Sequence, residues 1–178
     1  YTIDPAFLKR VDWVLAQARR NGLAAIINMH HYDEIYSDPA AHRERFLALW
    51  KQIAEHYRRQ GPGVLFEPLN EPNGALNGRP WNDLAAEVIA IIRQSNPTRD
   101  IVIGPGDWNR IAQLPYLELP RDEHLVVTFH YYEPFVFTHQ GAEWVNGSEA
   151  WLGTLWEGNW VQQAYIRDDL DLAKRIAD

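Results

Sequence analysis

The amino-acid sequence predicts an α/β fold in which parallel strands alternate with helices. Segments with the 3.6-residue spacing of a helix alternate along the chain with short apolar segments. The short segments are apolar on both faces, which is typical of strands buried in a parallel sheet. No internal repeat, low-complexity tract or Pro/Ser-rich linker interrupts the alternation. We therefore expect a single α/β domain over residues 1–178.

The first half of the chain contains two helix–strand units. Asp4-Pro5 is a helix-start signal, because Asp caps helices and Pro fits the first helical position. This helix ends at Asn21-Gly22, and the apolar segment 23–29 follows as the first strand. A second helix over about 40–59 leads to a second strand over 64–69.

The second half repeats the pattern and adds a long aromatic loop. A helix over about 82–94 precedes a short strand over 101–103, and a fourth strand covers 125–129. The loop after the fourth strand runs to about Trp160, where the last helix begins. Four strands with helices between them should place all four carboxyl ends on one rim.

Composition excludes several classes of protein. The 24 acidic and 17 basic residues give a net charge of −7, which disfavours nucleic acid as a partner. The absence of cysteine excludes disulfides, thiolate metal sites and a cysteine nucleophile. No apolar run reaches the length of about 18 residues that a membrane-spanning helix needs. Eight Trp and eight Tyr exceed what a core of this size needs, so some should line a ligand surface.

Polar and aromatic residues follow all four predicted strands. Because the carboxyl ends of parallel strands meet at one rim, these side chains should lie together and form a site. They are His30, Asn70, Glu71, Trp108, His130 and Tyr132.

Glu71 is the strongest candidate for a catalytic group. It could cap a helix or pair with an arginine, but a carboxyl in the tight Asn70-Glu71-Pro72 segment after a buried strand suits a general acid. His130 and Tyr132 alternate onto one side, where they could orient a carboxylate or a sugar hydroxyl. A hydrogen-bonded core histidine is the alternative for His130.

His30 and His31 are adjacent, so on a regular strand they should face opposite ways. One is expected at the rim and the other packed outward. This arrangement disfavours a metal site, for which Asp33 or Glu34 would be a loosely placed third ligand.

The tryptophans of the loops indicate a carbohydrate ligand. Trp50 lies on an apolar helix face and is expected in the core, whereas Trp108 and Trp144 lie in loops. The apolar faces of sugar rings stack on indole, so loop tryptophans beside carboxylates fit a carbohydrate cleft. The Gly-rich phosphate and dinucleotide motifs and the Gly-x-Ser-x-Gly elbow are all absent from the sequence.

Three segments together resemble glycoside hydrolase family 5, the cellulase family of clan A. They are Phe66-Glu-Pro-Leu-Asn-Glu-Pro72, Asn28-Met-His-His31 and Thr128-Phe-His-Tyr-Tyr132 with the aromatic loop that follows it. The resemblance covers almost the whole chain. It implies a (β/α)8 barrel and retaining hydrolysis of β-linked glucans or mannans without a cofactor, usually by secreted enzymes.

The resemblance also implies roles for individual residues. Glu71 is expected to be the general acid/base and Asn70 to hydrogen-bond the sugar 2-hydroxyl, with supporting residues at His30, His130 and Tyr132. Substrate contacts are expected from Trp108, Trp144, His31 and Glu133. An endo-acting β-1,4-glucanase is the favoured function.

The chain corresponds to only the third to sixth strands of that barrel, so an incomplete (β/α)8 barrel is expected. The family's nucleophile follows a later strand, and Glu133, Glu143 or Glu157 could substitute, Glu133 being the first choice. Bare strand edges near Ile26 and Val127 predict a homo-oligomer. A carbohydrate-binding remnant without turnover and a fragment of a longer enzyme are the alternatives.

Overall fold

The computed structural model describes residues 1–177 and confirms the α/β fold with parallel strands. Four strands form one sheet in the order β1-β2-β3-β4, so each strand pairs with its neighbour in sequence. All pairings are parallel. The strands are β1 Ala25–Asn28, β2 Val64–Glu67, β3 Ile101–Ile103 and β4 Leu125–Val127.

In the part of the chain that the structure describes, seven α-helical segments accompany the sheet. They are α1 Pro5–Arg20, α2 Asp33–Ser37, α3 Pro39–Tyr57, α4 Arg79–Arg93, α5 Gly106–Asn109, α6 Phe135–Thr138 and α7 Trp160–Ala177. Short 3-10 helices occur at Gly74–Leu76, Ile111–Tyr116 and Ser148–Trp151. The four long helices match the predicted ones, whereas α2 and the short segments were not predicted. Strands β1, β2 and β4 end earlier than expected.

Aspartate caps fix where two of the long helices begin. Asp4 Oδ1 accepts a hydrogen bond from the Ala6 backbone N–H at 2.7 Å, with Pro5 at the first helical position. Asp38 Oδ1 accepts from the Ala41 N–H at 3.0 Å in the same way. Each cap satisfies one of the backbone donors that a helix leaves free at its start.

The core lies between the sheet and the helices α3 and α4. Its largest members are fully buried and include Phe46, Trp50, Phe66, Trp81 and Ile101. Burying an aromatic or large aliphatic side chain contributes about 1.5–3 kcal/mol. The prediction that Trp50 belongs to the core is confirmed.

The two buried tryptophans also hold the backbone at strand ends. The Trp50 indole N–H donates to the Pro68 carbonyl at 2.8 Å, just after β2. The Trp81 indole N–H donates to the Gly104 carbonyl at 2.8 Å, just after β3. Each bond ties a segment that leads to the rim to a rigid ring in the core.

Arg99 joins the end of α3 to the start of β2. Its buried guanidinium donates to four backbone carbonyls, those of Tyr57, Gln60, Gly61 and Val64, at 2.7–3.1 Å. Carbonyls at a helix C-terminus have no partner within the helix, and a cation there also interacts favourably with the helix dipole.

The outermost strands expose apolar side chains. Ile26 of β1 is 51% exposed, and Val126 and Val127 of β4 are 43% and 48% exposed. The described part of the chain contains no helix both long and apolar enough to cross a membrane.

We predict that the ion pair between Arg93 and Asp122 makes stability depend on pH. Arg93 Nε lies 2.6 Å from Asp122 Oδ2, and its hydrogen bond holds the pKa of that carboxyl below its ordinary value. A depressed pKa in the folded state gives stability that is present above the ordinary pKa and lost as pH falls through the folded-state pKa. Asp122→Asn should therefore lower the free energy of unfolding by about 1.5–3 kcal/mol at neutral pH.

Urea unfolding of both proteins between neutral pH and the acid range measures this effect. The difference between them should shrink as the pH falls below the ordinary carboxyl value. Asp83→Asn is the matched control, because its pair with Arg79 is exposed (89% and 66%) and should contribute less than about 1 kcal/mol. A constant difference at all pH values would contradict the prediction.

Candidate active site

The segments that follow the four strands bring the predicted residues to one rim. His30 and His31 follow β1, and Asn70 and Glu71 follow β2. Trp108 lies in α5 after β3, whereas His130, Tyr132 and Glu133 follow β4. Trp144 reaches the same rim from the loop after α6.

Two adjoining cavities occupy this rim. The first, of about 690 Å³, is lined by residues that include His30, His31 and Asn70. The second, of about 700 Å³, is lined by residues that include His130, Tyr132, Glu133 and Trp144. Glu71 and Trp108 line both cavities. The structure thus brings all nine predicted site residues to one continuous cleft with Glu71 at its middle.

Glu71 is held at the cleft by its backbone conformation. Its φ of 45° lies in the left-handed region, which turns the chain away from the direction of β2. The Asn73 side chain donates to the Glu71 carbonyl at 2.9 Å. On the next residue, the Pro72 carbonyl accepts from the Trp108 N–H at 3.1 Å. These bonds keep an otherwise unfavourable turn in place.

The Glu71 carboxylate contacts His130. Oε1 lies 2.6 Å from His130 Nδ1, and each side chain is 26% exposed. The His130 backbone N–H donates to the Asn109 carbonyl at 2.8 Å, which holds the backbone of His130 in place. The Tyr132 ring stands at 87° to the His130 ring with 6.5 Å between centroids. His130 is not a core histidine, since its side chain is 26% exposed and lines the second cavity.

Helix α5 is a single turn of left-handed backbone. Asp107 (φ 53°), Trp108 (φ 60°) and Asn109 (φ 57°) are consecutive and none is glycine. Such a conformation costs roughly 1–2 kcal/mol per residue. Asn77 Oδ1 accepts from the Asp107 N–H at 2.7 Å and offsets part of this cost. The turn presents the Trp108 ring, which is 51% exposed, between the two cavities.

The expectation that His30 and His31 face opposite ways is wrong. Both side chains line the first cavity, and their rings meet edge to face with 4.7 Å between centroids. Strand β1 ends at Asn28, so the alternation of a regular strand does not extend to either histidine. His30 Nδ1 lies 3.2 Å from Asn28 Oδ1, which orients its ring.

An aromatic wall lines the second cavity. Phe135 and His139 stack with 4.0 Å between centroids and 16° between planes. His139 also meets Tyr132 at 5.1 Å and Trp144 at 6.4 Å, edge to face in both cases. Trp144 is 81% exposed and extends this wall into solvent. His139 and Phe135 were not among the predicted site residues.

The Glu133 carboxylate already has partners. Its Oε1 lies 3.6 Å from an Arg110 guanidinium nitrogen, and its Oε2 accepts from the Phe135 N–H at 3.1 Å. Glu143 and Glu157 line neither cavity. Of the three carboxylates considered as a second catalytic group, only Glu133 therefore faces the cleft.

Tyr36 is a residue of the cleft that the sequence did not reveal. Its hydroxyl donates to the Asn70 carbonyl at 2.6 Å and so supports the segment that carries Glu71. Burial, with the nearby charges of Asp33 and Glu71, raises the pKa of Tyr36 to about 12, so it remains a donor at neutral pH. The unpredicted helix α2 carries it into the first cavity.

Within residues 1–177, no group of three or more His, Cys, Asp or Glu side chains is placed to hold a metal ion.

Comparison with known proteins identifies the family. The family model described as cellulase (glycosyl hydrolase family 5) matches residues 1–171. The chain belongs to glycoside hydrolase family 5. It is 38% identical to endoglucanase H of Acetivibrio thermocellus over all 178 residues, which are 18% of that protein. It is 32% identical over 145 residues to cellodextrinase A of Ruminococcus flavefaciens, covering 76% of this chain and 43% of that protein.

Solved structures of the family show the same architecture. Endoglucanase Cel5A of Thermotoga maritima superimposes with a TM-score of 0.96 at 45% identity, over 99% of this chain and 57% of that one. The cellulose synthase subunit Z of Clostridioides difficile superimposes with a TM-score of 0.96 at 37% identity, covering 99% of this chain and 59% of that one. The chain therefore spans little more than half of these structures. Its four parallel strands are a partial segment of their TIM barrel, as the resemblance implied.

We predict that Trp108 contributes to sugar binding because its ring stands between the two cavities. Trp108→Ala should weaken the binding of cello-oligosaccharides roughly tenfold, equivalent to about 1.4 kcal/mol. Isothermal titration calorimetry measures the change. Trp13→Ala is the matched control, because Trp13 is similarly exposed (52%) but lies on α1, away from the cleft. Equal losses in the two variants would contradict the prediction.

Proposed function

We propose that this chain forms the acid/base part of an endo-acting β-1,4-glucanase. The supporting observation is that the two cavities meet at Glu71 and Trp108. A polysaccharide lying in this cleft extends past Glu71 in both directions, so the bond that is cut lies inside the polymer. An enzyme that removes end units needs a cleft closed on one side of its catalytic acid.

Glu71 acts as the general acid/base in this proposal. In retaining hydrolysis, one carboxylic acid protonates the leaving oxygen while a second carboxylate attacks the sugar, and the first group then deprotonates water. The reaction needs two carboxylates and water and no cofactor. The hydrogen bond to His130 at 2.6 Å supports the role of Glu71, because it fixes one carboxyl oxygen. Asn70 is proposed to bind the sugar 2-hydroxyl, and the aromatic rings to stack on sugar faces.

The proposed substrate is a β-linked glucan. The relatives include proteins named endoglucanase and cellodextrinase. Structures of the Thermotoga maritima Cel5A are described in complex with cellobiose and with mannotriose. Cellulose-like β-1,4-glucan is therefore the first choice, with mannan as a second substrate to test. Since a polymeric glucan cannot enter a cell, we also propose that the protein acts outside it.

The second carboxylate is proposed to come from outside β1–β4. Glu133 faces the cleft, but its Oε2 accepts from the Phe135 N–H at 3.1 Å and its Oε1 lies 3.6 Å from an Arg110 nitrogen. We assign Glu133 instead to the support of the second cavity.

The exposed edges of β1 and β4 are proposed to pair with further strands. These strands belong either to a longer chain that completes the barrel or to a second copy in a homo-oligomer. Sedimentation velocity of the 178-residue chain measures its assembly state, and a defined dimer or ring supports the oligomer. A monomer supports the longer chain if urea unfolding shows that the domain is more stable when the rest of the barrel is present.

We predict that Glu71→Gln lowers hydrolysis of carboxymethyl-cellulose by about 10²–10⁴-fold, because the leaving oxygen is no longer protonated. A dinitrophenyl cellobioside, whose leaving group needs no proton, should still give a rapid burst of dinitrophenolate. Because the burst needs the second carboxylate, the dinitrophenyl cellobioside assay is run on a protein with a complete barrel. The carboxymethyl-cellulose assay is run on that protein and on the 178-residue chain. Glu118→Gln, an exposed residue that lines neither cavity, is the control.

Three outcomes are informative in this experiment. Equal losses on both substrates would contradict the acid/base role of Glu71. Unchanged hydrolysis of carboxymethyl-cellulose by Glu71→Gln would exclude it from catalysis. Binding of cello-oligosaccharides without hydrolysis by either wild-type protein would favour a carbohydrate-binding remnant.

A further inference from the structure

Asn109 is a fully buried polar residue that contacts the ring of His130. Its exposed fraction is 0%, and its side-chain nitrogen Nδ2 lies 3.4 Å from His130 Nε2. Its side-chain oxygen Oδ1 has no hydrogen-bond partner among the described residues. A buried oxygen without a partner costs roughly 1–3 kcal/mol, so this orientation of the amide needs an explanation.

The backbone holds Asn109 in this position from two sides. Asn109 is the last of the three left-handed residues of α5, and its carbonyl accepts from the His130 N–H at 2.8 Å. Gly104 leaves the space for its side chain, since a Cβ at Gly104 would lie 2.5 Å from Asn109 Cγ. The side chain is therefore confined beside the imidazole.

The amide of Asn109 determines which ring nitrogen of His130 carries the proton. An amide nitrogen only donates hydrogen bonds, so His130 Nε2 must accept. A neutral imidazole with an acceptor at Nε2 carries its proton on Nδ1. Nδ1 lies 2.6 Å from Glu71 Oε1, so this proton is donated to Glu71. We propose that Asn109 is a positioning residue that selects the neutral Nδ1–H tautomer of His130.

This selection has a consequence for Glu71, which rests on the acid/base role proposed above. With Nδ1–H donating to it, Oε1 is an acceptor whether Glu71 is ionised or protonated. The transferable proton of Glu71 is therefore confined to its other oxygen, Oε2. If the imidazole carried its proton on Nε2 instead, Nδ1 could accept the Glu71 proton at Oε1, and the proton would be held in a bond to His130 and withheld from the leaving oxygen.

The alternative orientation of the amide explains why asparagine suits this position. Turning the amide over would bring Oδ1 to Nε2 and favour a proton there. It would also move Nδ2, with two donor hydrogens, into the place where Oδ1 now lies without a partner. The observed orientation leaves one N–H and Oδ1 without a partner among the described residues, whereas the turned amide would leave both N–H groups without one. A buried donor without a partner is tolerated less well than a buried carbonyl, so the surroundings of Asn109 favour the observed orientation.

Nitrogen-15 NMR of histidine side chains tests the proposal without relying on catalysis. The protein, labelled on its seven histidines, gives separate signals for protonated and unprotonated ring nitrogens. The signals of His130 are assigned by their loss in His130→Gln. We expect wild-type His130 to show a protonated Nδ1 and an unprotonated Nε2 at neutral pH.

Variants of the turn extend the test. Asn109→Asp places only acceptors beside the ring, so the proton should move to Nε2 or both nitrogens should become protonated. Asn109→Leu and Gly104→Ala, which remove or displace the amide, should give a mixture of tautomers. Asn82→Asp is the control: Asn82 is another buried asparagine, and its amide donates to the Tyr116 carbonyl at 2.9 Å, away from His130. It should leave the His130 signals unchanged.

A protonated Nε2 in the wild-type protein would overturn the proposal, and so would an unchanged His130 spectrum in Asn109→Asp. The wild-type spectrum alone tests which nitrogen of His130 is protonated, even if a variant fails to fold. In a protein with a complete barrel, Asn109→Asp should lower kcat at least tenfold with little change in KM. If wild-type hydrolysis is absent while the tautomers behave as expected, the proposed function fails and the inference about His130 stands.

Discussion

The hydrogen bond between Glu71 and His130 joins two strands that are not neighbours in the sheet. Glu71 follows β2 and His130 follows β4, with β3 between them. Because Glu71 Oε1 and His130 Nδ1 lie 2.6 Å apart, the segment after β3 must leave the space between them free. The left-handed turn of α5 meets this condition, and its Asn109 supports His130 from the side away from Glu71. The geometry of the cleft therefore depends on three consecutive strand ends together.

Conformational strain is concentrated in the same place. Within the described residues, Glu71 and residues 107–109 are the positions other than glycine that have a positive φ. Both segments are held by hydrogen bonds: the Asn73 side chain donates to the Glu71 carbonyl, and the Asn77 side chain accepts from the Asp107 N–H. The Trp108 N–H donates to the Pro72 carbonyl and joins the two segments. Strain of this kind persists only where the surroundings determine the conformation more strongly than the local preference does. A rigid, strained rim suits a reaction in which the positions of a few oxygens decide the rate.

The sequence was sufficient to predict the fold class, the order of the strands and the residues that reach the rim. Apolar strands with polar residues directly after them carry that information in short, contiguous patterns. The relative orientation of His30 and His31 was predicted incorrectly, because a strand that stops a residue or two early changes which way its successors point. Asn109 and Tyr36 were missed for a different reason. Their roles depend on left-handed backbone and on a one-turn helix, and neither has a periodic signature in the sequence.

Trp50 and Trp81 connect the core to the cleft through the carbonyls of Pro68 and Gly104. Each indole is thus both part of the hydrophobic interior and a tether for a segment that ends in a functional residue. Interior and active site are consequently not independent modules in this protein. A substitution that repacks the interior around Trp50 or Trp81 without unfolding the protein should therefore also move the segment that the indole N–H holds. Residues that never face the cleft therefore help to decide where the cleft residues lie.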